Sequence, residues 1–277
     1  MKPETVVIPL RKIHETAVIH PGARLGKDVE IGPYAVIGEN VLIGDGTKIG
    51  AHVVVDGWTS IGKNCEIYPG ASIGSEPQDL KFKGEKSYVF IGDDNKIREY
   101  VTINRATGEG EETRIGSHCL LQAYTHVAHN CVLGNYVIMS NCATLAGHVI
   151  VEDRAIISGL TGVHQFVKIG RNAFVGGASK VVQDVPPFVT VDGHPAKVRG
   201  LNNVGMSRAG LSEMARKNIK KAYKILYRSG IATLAQAVAV MEQELESCEE
   251  VEHMLRFLRN AERGICRSRR DEFSEEV

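Results

Sequence analysis

The sequence predicts a mainly β protein, a parallel β-helix of six-residue units closed off by a helical segment. Three observations carry that reading. Stepping by six from Ile13 to Val181, every position is Ile, Leu, Val or Met except Asp79, Glu85 and Glu109. Gly often follows the aliphatic residue and a small residue comes four places after it, as in Ile31-Gly32-Pro33-Tyr34-Ala35 and Ile169-Gly170-Arg171-Asn172-Ala173. Beyond Val185-Pro186-Pro187 the period of six gives way to helical spacing. An amphipathic helix repeats near 3.6 residues, so a period of six is foreign to it.

Each unit reads as one short strand and a tight turn, with the aliphatic side chain inward. Gly, Asn and Asp are expected to supply the left-handed backbone values of the corners. Three units close a triangular coil, and positions eighteen apart stack at roughly 4.8 Å. The three misfits mark excursions: about twelve extra residues after Ile73 and six after Ile103, together one coil, so the phase survives. The repeat is expected to end at Val181-Val182-Gln183-Asp184-Val185-Pro186-Pro187, because two prolines withdraw N–H groups that another ladder would need. From about Ser207 a helical region follows. Leu211, Ala215, Ile219, Ala222 and Leu226 form one stripe, Gly230 is a terminator, and further helices are expected near 233–246 and 249–263. The domains are therefore read as 1–200 for the β-helix and 201–277 for the helical part.

Composition narrows the function. Lys and Arg number 33 against 33 Asp and Glu, which argues against nucleic acid or an anionic membrane surface as the general partner. The opening Met1-Lys2-Pro3-Glu4-Thr5 lacks a leader pattern, and no run approaches the ~20 apolar residues of a membrane span. A cytoplasmic location without stable membrane insertion is expected. The six cysteines have no CxxC spacing, so neither a disulfide framework nor a Cys-ligated metal is expected.

Counting coils places the units of Ile73, Ile103, Val127, Leu145, Val163 and Val181 on one face. His129, His148 and His164 fall in three of those units, within roughly 10 Å along one edge and beside both extruded loops. His126 lies three residues before His129, and the loop Gln78-Asp79-Leu80-Lys81 adds a carboxylate and an ammonium. Asp79 is a candidate to orient an imidazole and strengthen it as a base. A His base with no Gly-x-Ser-x-Gly elbow points to direct acyl transfer: an acceptor hydroxyl loses its proton and attacks an activated acyl group. Cys131 and Cys142 are expected to be packed, which disfavours a covalent thioester. The N–H of Gly147 is a candidate oxyanion donor.

The six-residue pattern resembles that of the hexapeptide-repeat acyltransferases, and the resemblance implies a left-handed parallel β-helix, a hand that the period itself does not give. A narrower likeness rests on Gln78-Asp79-Leu80-Lys81, His126-Val127-Ala128-His129-Asn130-Cys131, Leu145-Ala146-Gly147-His148-Val149, Val163-His164-Gln165-Phe166, Gln183-Asp184-Val185-Pro186-Pro187 and Ala222-Tyr223-Lys224-Ile225-Leu226-Tyr227-Arg228. Together these resemble the acyl-carrier-protein–UDP-N-acetylglucosamine O-acyltransferase family, which opens lipid A biosynthesis, over nearly the whole chain. The resemblance implies His129 as general base, Asp79 as the residue polarising it and Gly147 as oxyanion donor. It assigns Lys81, His126, His148, His164 and Gln165 to the sugar, phosphate and pantetheine sites, Asn202 and Arg208 to nucleotide contact, and Gly177 to the floor of the acyl groove. It also implies a homotrimer with clefts between chains, no cofactor, and an acyl carrier protein bearing a (3-hydroxy)acyl group as donor to UDP-N-acetylglucosamine.

The chain departs from the family pattern at Val204, at Ser207-Arg208-Ala209 and at Asp192-Gly193-His194-Pro195. These departures leave open a 3-amino analogue of the sugar, which would receive an amide. Arg208, Arg216, Lys217, Lys220, Lys221, Lys224 and Arg228, against the single acid Glu213, form a basic stretch suited to an acidic carrier protein. Two rival readings stand beside these. One is a metal-dependent hydratase of the gamma carbonic anhydrase type, with three of these histidines on zinc. The other is a non-catalytic scaffold, which should repeat one exposed residue type along a flat face, as this chain does not.

Overall fold

The protein is described by a computed structural model over residues 12–268. The opening five residues, and the outer ends of the two expected domains, lie outside the described residues. Among the described residues three sheets of nine, eight and ten strands, parallel except for the last strand of the ten-stranded sheet, form the faces of a left-handed β-helix. Successive units contribute one short strand to each face in turn, for example Val36–Ile37, Leu42–Ile43 and Lys48–Ile49. In each of these the first residue is exposed and the second buried, the alternation a half-buried strand requires. Two residues have no strand tendency of their own. The ladder eighteen residues away supplies it, Ile37 pairing with Val55 and Ile43 with Ile61.

The glycine after the aliphatic residue has a different task from the one its turn position suggests. A Cβ on Gly44 would come within 2.6 Å of the Gly62 carbonyl, and one on Gly62 within 2.6 Å of the Gly92 carbonyl. These glycines let coils stack closely, and neither has a positive φ. The left-handed corners instead include eighteen non-glycine residues, only a minority of them Asn or Asp. Tyr34, His52, Tyr100, Tyr124, His118 and Tyr136 are among them. Their rings stack on the coil above or below, Tyr100 on Tyr124 at 5.2 Å and His118 on Tyr136 at 4.7 Å, which offsets the ~1–2 kcal/mol of the left-handed conformation. Asn and Asp brace coils through side chains, as where Asp153 Oδ1 accepts from the Asn135 N–H at 2.7 Å.

The expectation that Cys131 and Cys142 are both packed holds for only one of them. Cys131 is buried, whereas Cys142 is exposed at a left-handed corner, because the third place after the aliphatic residue is the one that turns outward.

Both excursions occur where expected. Ile73 pairs with Ile103 and Ile103 with Val127, so loops leave the same sheet after Ser72–Ser75 and Thr102–Asn104. The ladder does not stop at the two prolines. Ile169 bridges Val185, and Val189–Asp192 pairs in parallel with Phe174–Val175 before Lys197–Leu201 returns antiparallel. The prolines occupy the corner between the Val185 bridge and the strand Val189–Asp192, where no ladder N–H is needed.

Four helices follow: α1 (Asn203–Arg208), α2 (Glu213–Arg228), α3 (Leu234–Glu244) and α4 (Glu249–Arg259). Asn202, Ser212 and Thr233 cap the first three by accepting backbone N–H groups. Of the stripe read from sequence, Ala215, Ile219 and Ala222 are buried on the inner face of α2 with Leu226 half-buried, while Leu211 lies before the helix begins. Gly230, at φ +74, follows the end of α2. A second core joins Phe188 of the last coil to Met206, Ile219, Met241, Met254 and Leu258. Polar clamps hold α4 to the coils, His253 Nε2 lying 2.7 Å from Glu152 and Arg171 Nη1 2.9 Å from Glu249. No helix among the described residues is long and apolar enough to cross a membrane.

Candidate active site

The site gathers on the corner that follows the nine-stranded face. His126 belongs to the strand His126–Val127, with Val127 in the core and the His126 ring outward, Nδ1 lying 2.7 Å from Thr102 Oγ1. His129 stands at the corner just beyond. Gly147, eighteen residues on, lies directly against it: a Cβ there would meet the His129 ring at Cε1 and Nε2, each at 2.5 Å. Gln165 continues this column one coil further. The His148 ring meets that of His129 edge-on at 5.2 Å and stacks flat on Phe166 at 4.6 Å.

One ring nitrogen of His129 is committed. Nδ1 lies 2.9 Å from Asn130 Oδ1. That amide is fixed in turn by Thr107, whose N–H donates to Oδ1 at 3.0 Å and whose carbonyl accepts from Nδ2 at 3.2 Å. An amide oxygen only accepts, so Nδ1 carries the hydrogen and Nε2 of the neutral ring keeps a lone pair.

On the Nε2 side, Asp79 Oδ2 stands 3.9 Å away, the two side chains being 15% and 18% exposed. The carboxyl is held below its ordinary range first by the Lys81 backbone N–H, which donates to Oδ1 at 3.0 Å, and further by the neighbouring His129 and Lys81 side chains. It remains an anion facing the basic nitrogen. Burial, followed by the neighbouring His129, pushes both His126 and His148 below the ordinary histidine value. Both are neutral at pH 7 and can donate or accept hydrogen bonds.

The other expected residues divide. Lys81 is exposed on the loop, and His164 and Gln165 are exposed one coil beyond Gly147. Asn202 and Arg208 are not brought to His129. They border a cavity of about 600 Å³ on the ten-stranded face, with His118, Tyr136, Arg154 and Asn172. Asn202 is buried there, its Nδ2 donating to the Asn172 carbonyl at 2.9 Å and its Oδ1 capping α1. Gly177 lies at the far corner of the nine-stranded face, where an added Cβ would meet only the Gly159 carbonyl at 3.5 Å.

Two residues that hold the His129 ring went unread in the sequence, Asn130 and Thr107. The signal for Asn130 was its place after a His at a corner, where it adopts φ +58. Thr107 lies on an excursion whose path the repeat does not determine. The Cys131 thiol is pushed up to about 12 by burial and stays protonated, so it supplies no thiolate. Among the described residues no three His, Cys, Asp or Glu side chains converge as metal ligands, the arrangement the hydratase reading needs.

In sequence and fold the chain is similar to known proteins. The bacterial transferase hexapeptide family (six repeats) matches residues 12–44, 40–75 and 112–147, and domain 2 of the UDP N-acetylglucosamine O-acyltransferase family matches residues 184–266. The acyl-[acyl-carrier-protein]–UDP-N-acetylglucosamine O-acyltransferase of Myxococcus xanthus is 50% identical over 259 residues, covering 93% of this chain and 100% of the relative. The solved structure of LpxA from Acinetobacter baumannii superposes with a TM-score of 0.89 at 44% identity, covering 93% of this chain and 100% of the other. That of LpxA, a UDP-N-acetylglucosamine acyltransferase from Bacteroides fragilis, gives 0.89 at 42%, covering 92% and 99%. On fold, motifs and near full-length identity, this chain belongs to the acyl-[acyl-carrier-protein]–UDP-N-acetylglucosamine O-acyltransferase family.

Proposed function

We propose that the chain transfers a (3-hydroxy)acyl group from acyl carrier protein to the 3-hydroxyl of UDP-N-acetylglucosamine, the opening step of lipid A biosynthesis, with His129 as general base. The observation that carries this reading is the environment of His129: Nδ1 pinned by Asn130, Nε2 open beside Gly147 and faced by the Asp79 carboxylate. Nε2 takes the proton from the acceptor hydroxyl as its oxygen attacks the thioester carbonyl. The Asp79 charge stabilises the imidazolium that forms. The tetrahedral oxyanion meets the Gly147 N–H, which donates to no acceptor among the described residues. Collapse breaks the C–S bond, and the proton on Nε2 leaves with the pantetheine thiol. His126, His148, His164, Gln165 and Lys81 line the approach for sugar, phosphate and pantetheine.

The working unit under this reading is a homotrimer. Asn202 and Arg208 border a different face from His129, so nucleotide contact by the former and proton removal by the latter require a second chain across the cleft. The exposed Lys217, Lys220, Lys221, Lys224 and Arg228 of α2 receive the acidic carrier protein, beside a cavity of about 730 Å³ lined by Tyr223, Lys220, Lys224 and Arg228. Residues 1–200 act as the transferase body and 201–277 as the carrier-docking domain.

Purified protein assayed with a ladder of acyl carrier thioesters against UDP-N-acetylglucosamine and its 3-amino analogue tests the proposal. Ester formation on the hydroxyl sugar is expected. Exclusive amide formation would reassign the acceptor, and no transfer to either sugar would remove the acyltransferase reading. Sedimentation of the same sample reads the trimer.

A further inference from the structure

We infer that Arg105 is a positioning residue for the Asp79 carboxylate, anchoring both ends of the loop segment that carries it. The inference rests on the proposed roles of His129 and Asp79. Arg105 is 7% exposed, yet its one carboxylate partner, Glu76 at 3.3 Å, is largely in solvent, and its Nε has no acceptor among the described residues. A buried guanidinium so incompletely paired is a poor stabiliser of a fold, and an apolar residue of similar volume would do as well or better.

The guanidinium instead holds a loop. Nη1 donates to the Gly74 carbonyl at 3.4 Å and Nη2 reaches Glu76, while Cζ lies over the Phe82 ring, 5.0 Å from its centroid. The Arg105 N–H donates to the Ser75 carbonyl at 3.0 Å, and the preceding Asn104 Nδ2 donates to the Glu76 carbonyl at 2.7 Å. Asp79 lies between Glu76 and Phe82, and the Phe82 N–H closes a turn on the Asp79 carbonyl at 3.0 Å. The stretch 76–82 is thus gripped before and after Asp79 by one side chain. Arg105 itself belongs to the second excursion, the one whose Thr107 fixes Asn130 and hence the His129 ring. One short segment therefore sets both members of the pair, the carboxylate through Arg105 and the imidazole through Thr107. Planarity is needed to cover Phe82 and charge to reach Glu76, a combination that Lys lacks.

Turnover and KM for both substrates are measured for the wild-type trimer, Arg105→Met, Arg105→Lys, Asp79→Asn and Arg105→Met with Asp79→Asn. Arg105→Met is expected to lower kcat roughly ten- to hundredfold with KM nearly unchanged, Arg105→Lys to recover only part, and the double variant to be no slower than Asp79→Asn alone. Losses that multiply in the double variant, or a wild-type kcat in Arg105→Met, overturn the inference while leaving the site reading intact. Wild-type turnover in Asp79→Asn instead overturns the site reading itself. If Arg105→Met does not fold, Phe82→Leu takes its place in the same cycle. A kcat loss that vanishes in the Asp79→Asn background supports the inference, and an additive loss or none refutes it.

Discussion

Gly147 and His129 are in such close register that the glycine's missing side chain is what leaves room for the imidazole edge. A Cβ would sit 2.5 Å from both Cε1 and Nε2. Gly147→Ala is therefore expected to displace the ring and block the approach of the reacting carbonyl, lowering kcat roughly 10²-fold. Because Gly147 has no positive φ, alanine meets no backbone strain. Thermal unfolding should stay close to wild type, and a variant that melts early would mean that the clash is relieved by moving the coil rather than the ring.

His129→Ala removes the proposed base and leaves the inward ladder untouched, since Val127 and Cys131 carry the packing at that corner. Transfer is expected to fall ~10²–10⁴-fold while the protein sediments as the wild type does. Turnover near the wild-type rate would take His129 out of the mechanism. His129→Gln separates hydrogen bonding from proton transfer and should remain as slow as the alanine variant.

The half-buried histidines give a pH signature. His126 and His148 have folded-state values below the ordinary 6.5, first through burial and then through His129. Between those folded values and 6.5 the unfolded chain binds more protons than the native one, so stability rises with pH there. This contribution is fully present above 6.5 and is lost as pH falls towards the folded values. Melting temperatures recorded from pH 7.5 to 5 should decline on the acid side, and His126→Gln should flatten part of the decline. A slope unchanged in that variant would show His126 to be uncoupled from folding.

The basic face of α2 gives a salt signature. Lys220→Glu with Lys224→Glu should raise KM for the acyl carrier thioester about tenfold or more at low salt and leave kcat within roughly twofold. The difference from wild type should shrink as salt screens exposed charges over about 10 Å at 0.1 M. An equal KM defect at high salt would mean that the substitutions damage the cavity beside Tyr223 rather than long-range attraction.

The coils were legible because the aliphatic residue of every six must point inward, and that requirement is written at Ile37, Val55, Ile73 and Ile103 whatever lies between them. For the same reason the counting survived both excursions and brought His129, Gly147 and Asp79 together from positions far apart. Corner chemistry was less legible. Stacking of Tyr100 on Tyr124 replaces glycine's conformational freedom, and the Gly44 and Gly62 pattern records the approach of coils rather than a turn. The side chains that tune the site were hidden because Asn130, Thr107 and Arg105 act through loops, whose paths are set by particular hydrogen bonds rather than by period. The last pairing past Pro187 was hidden for a related reason, since a proline at a corner interrupts nothing.

Gly177 tests how far the nine-stranded face serves as the acyl groove. An added Cβ at Gly177 meets only the Gly159 carbonyl, at ordinary van der Waals distance, and one at the nearby Gly162 meets nothing within 4 Å. The space is open, so Gly177→Met extends a flexible thioether along the surface without displacing the coil, and Val175 and Val181 remain in the core. A long acyl chain running from His129 towards this corner would lose its last methylenes to the introduced thioether, at roughly 0.8 kcal/mol for each CH₂ left unburied. Two or three methylenes are enough to invert a preference, because each factor of ten in kcat/KM corresponds to about 1.4 kcal/mol. The variant should therefore favour acyl groups shorter by a few carbons in competition assays, with its best substrate turned over about as fast as the wild type turns over its own. A chain-length profile identical to wild type would direct the acyl chain elsewhere, and a uniform loss across all lengths would mean that the introduced side chain obstructs the pantetheine rather than the acyl tail.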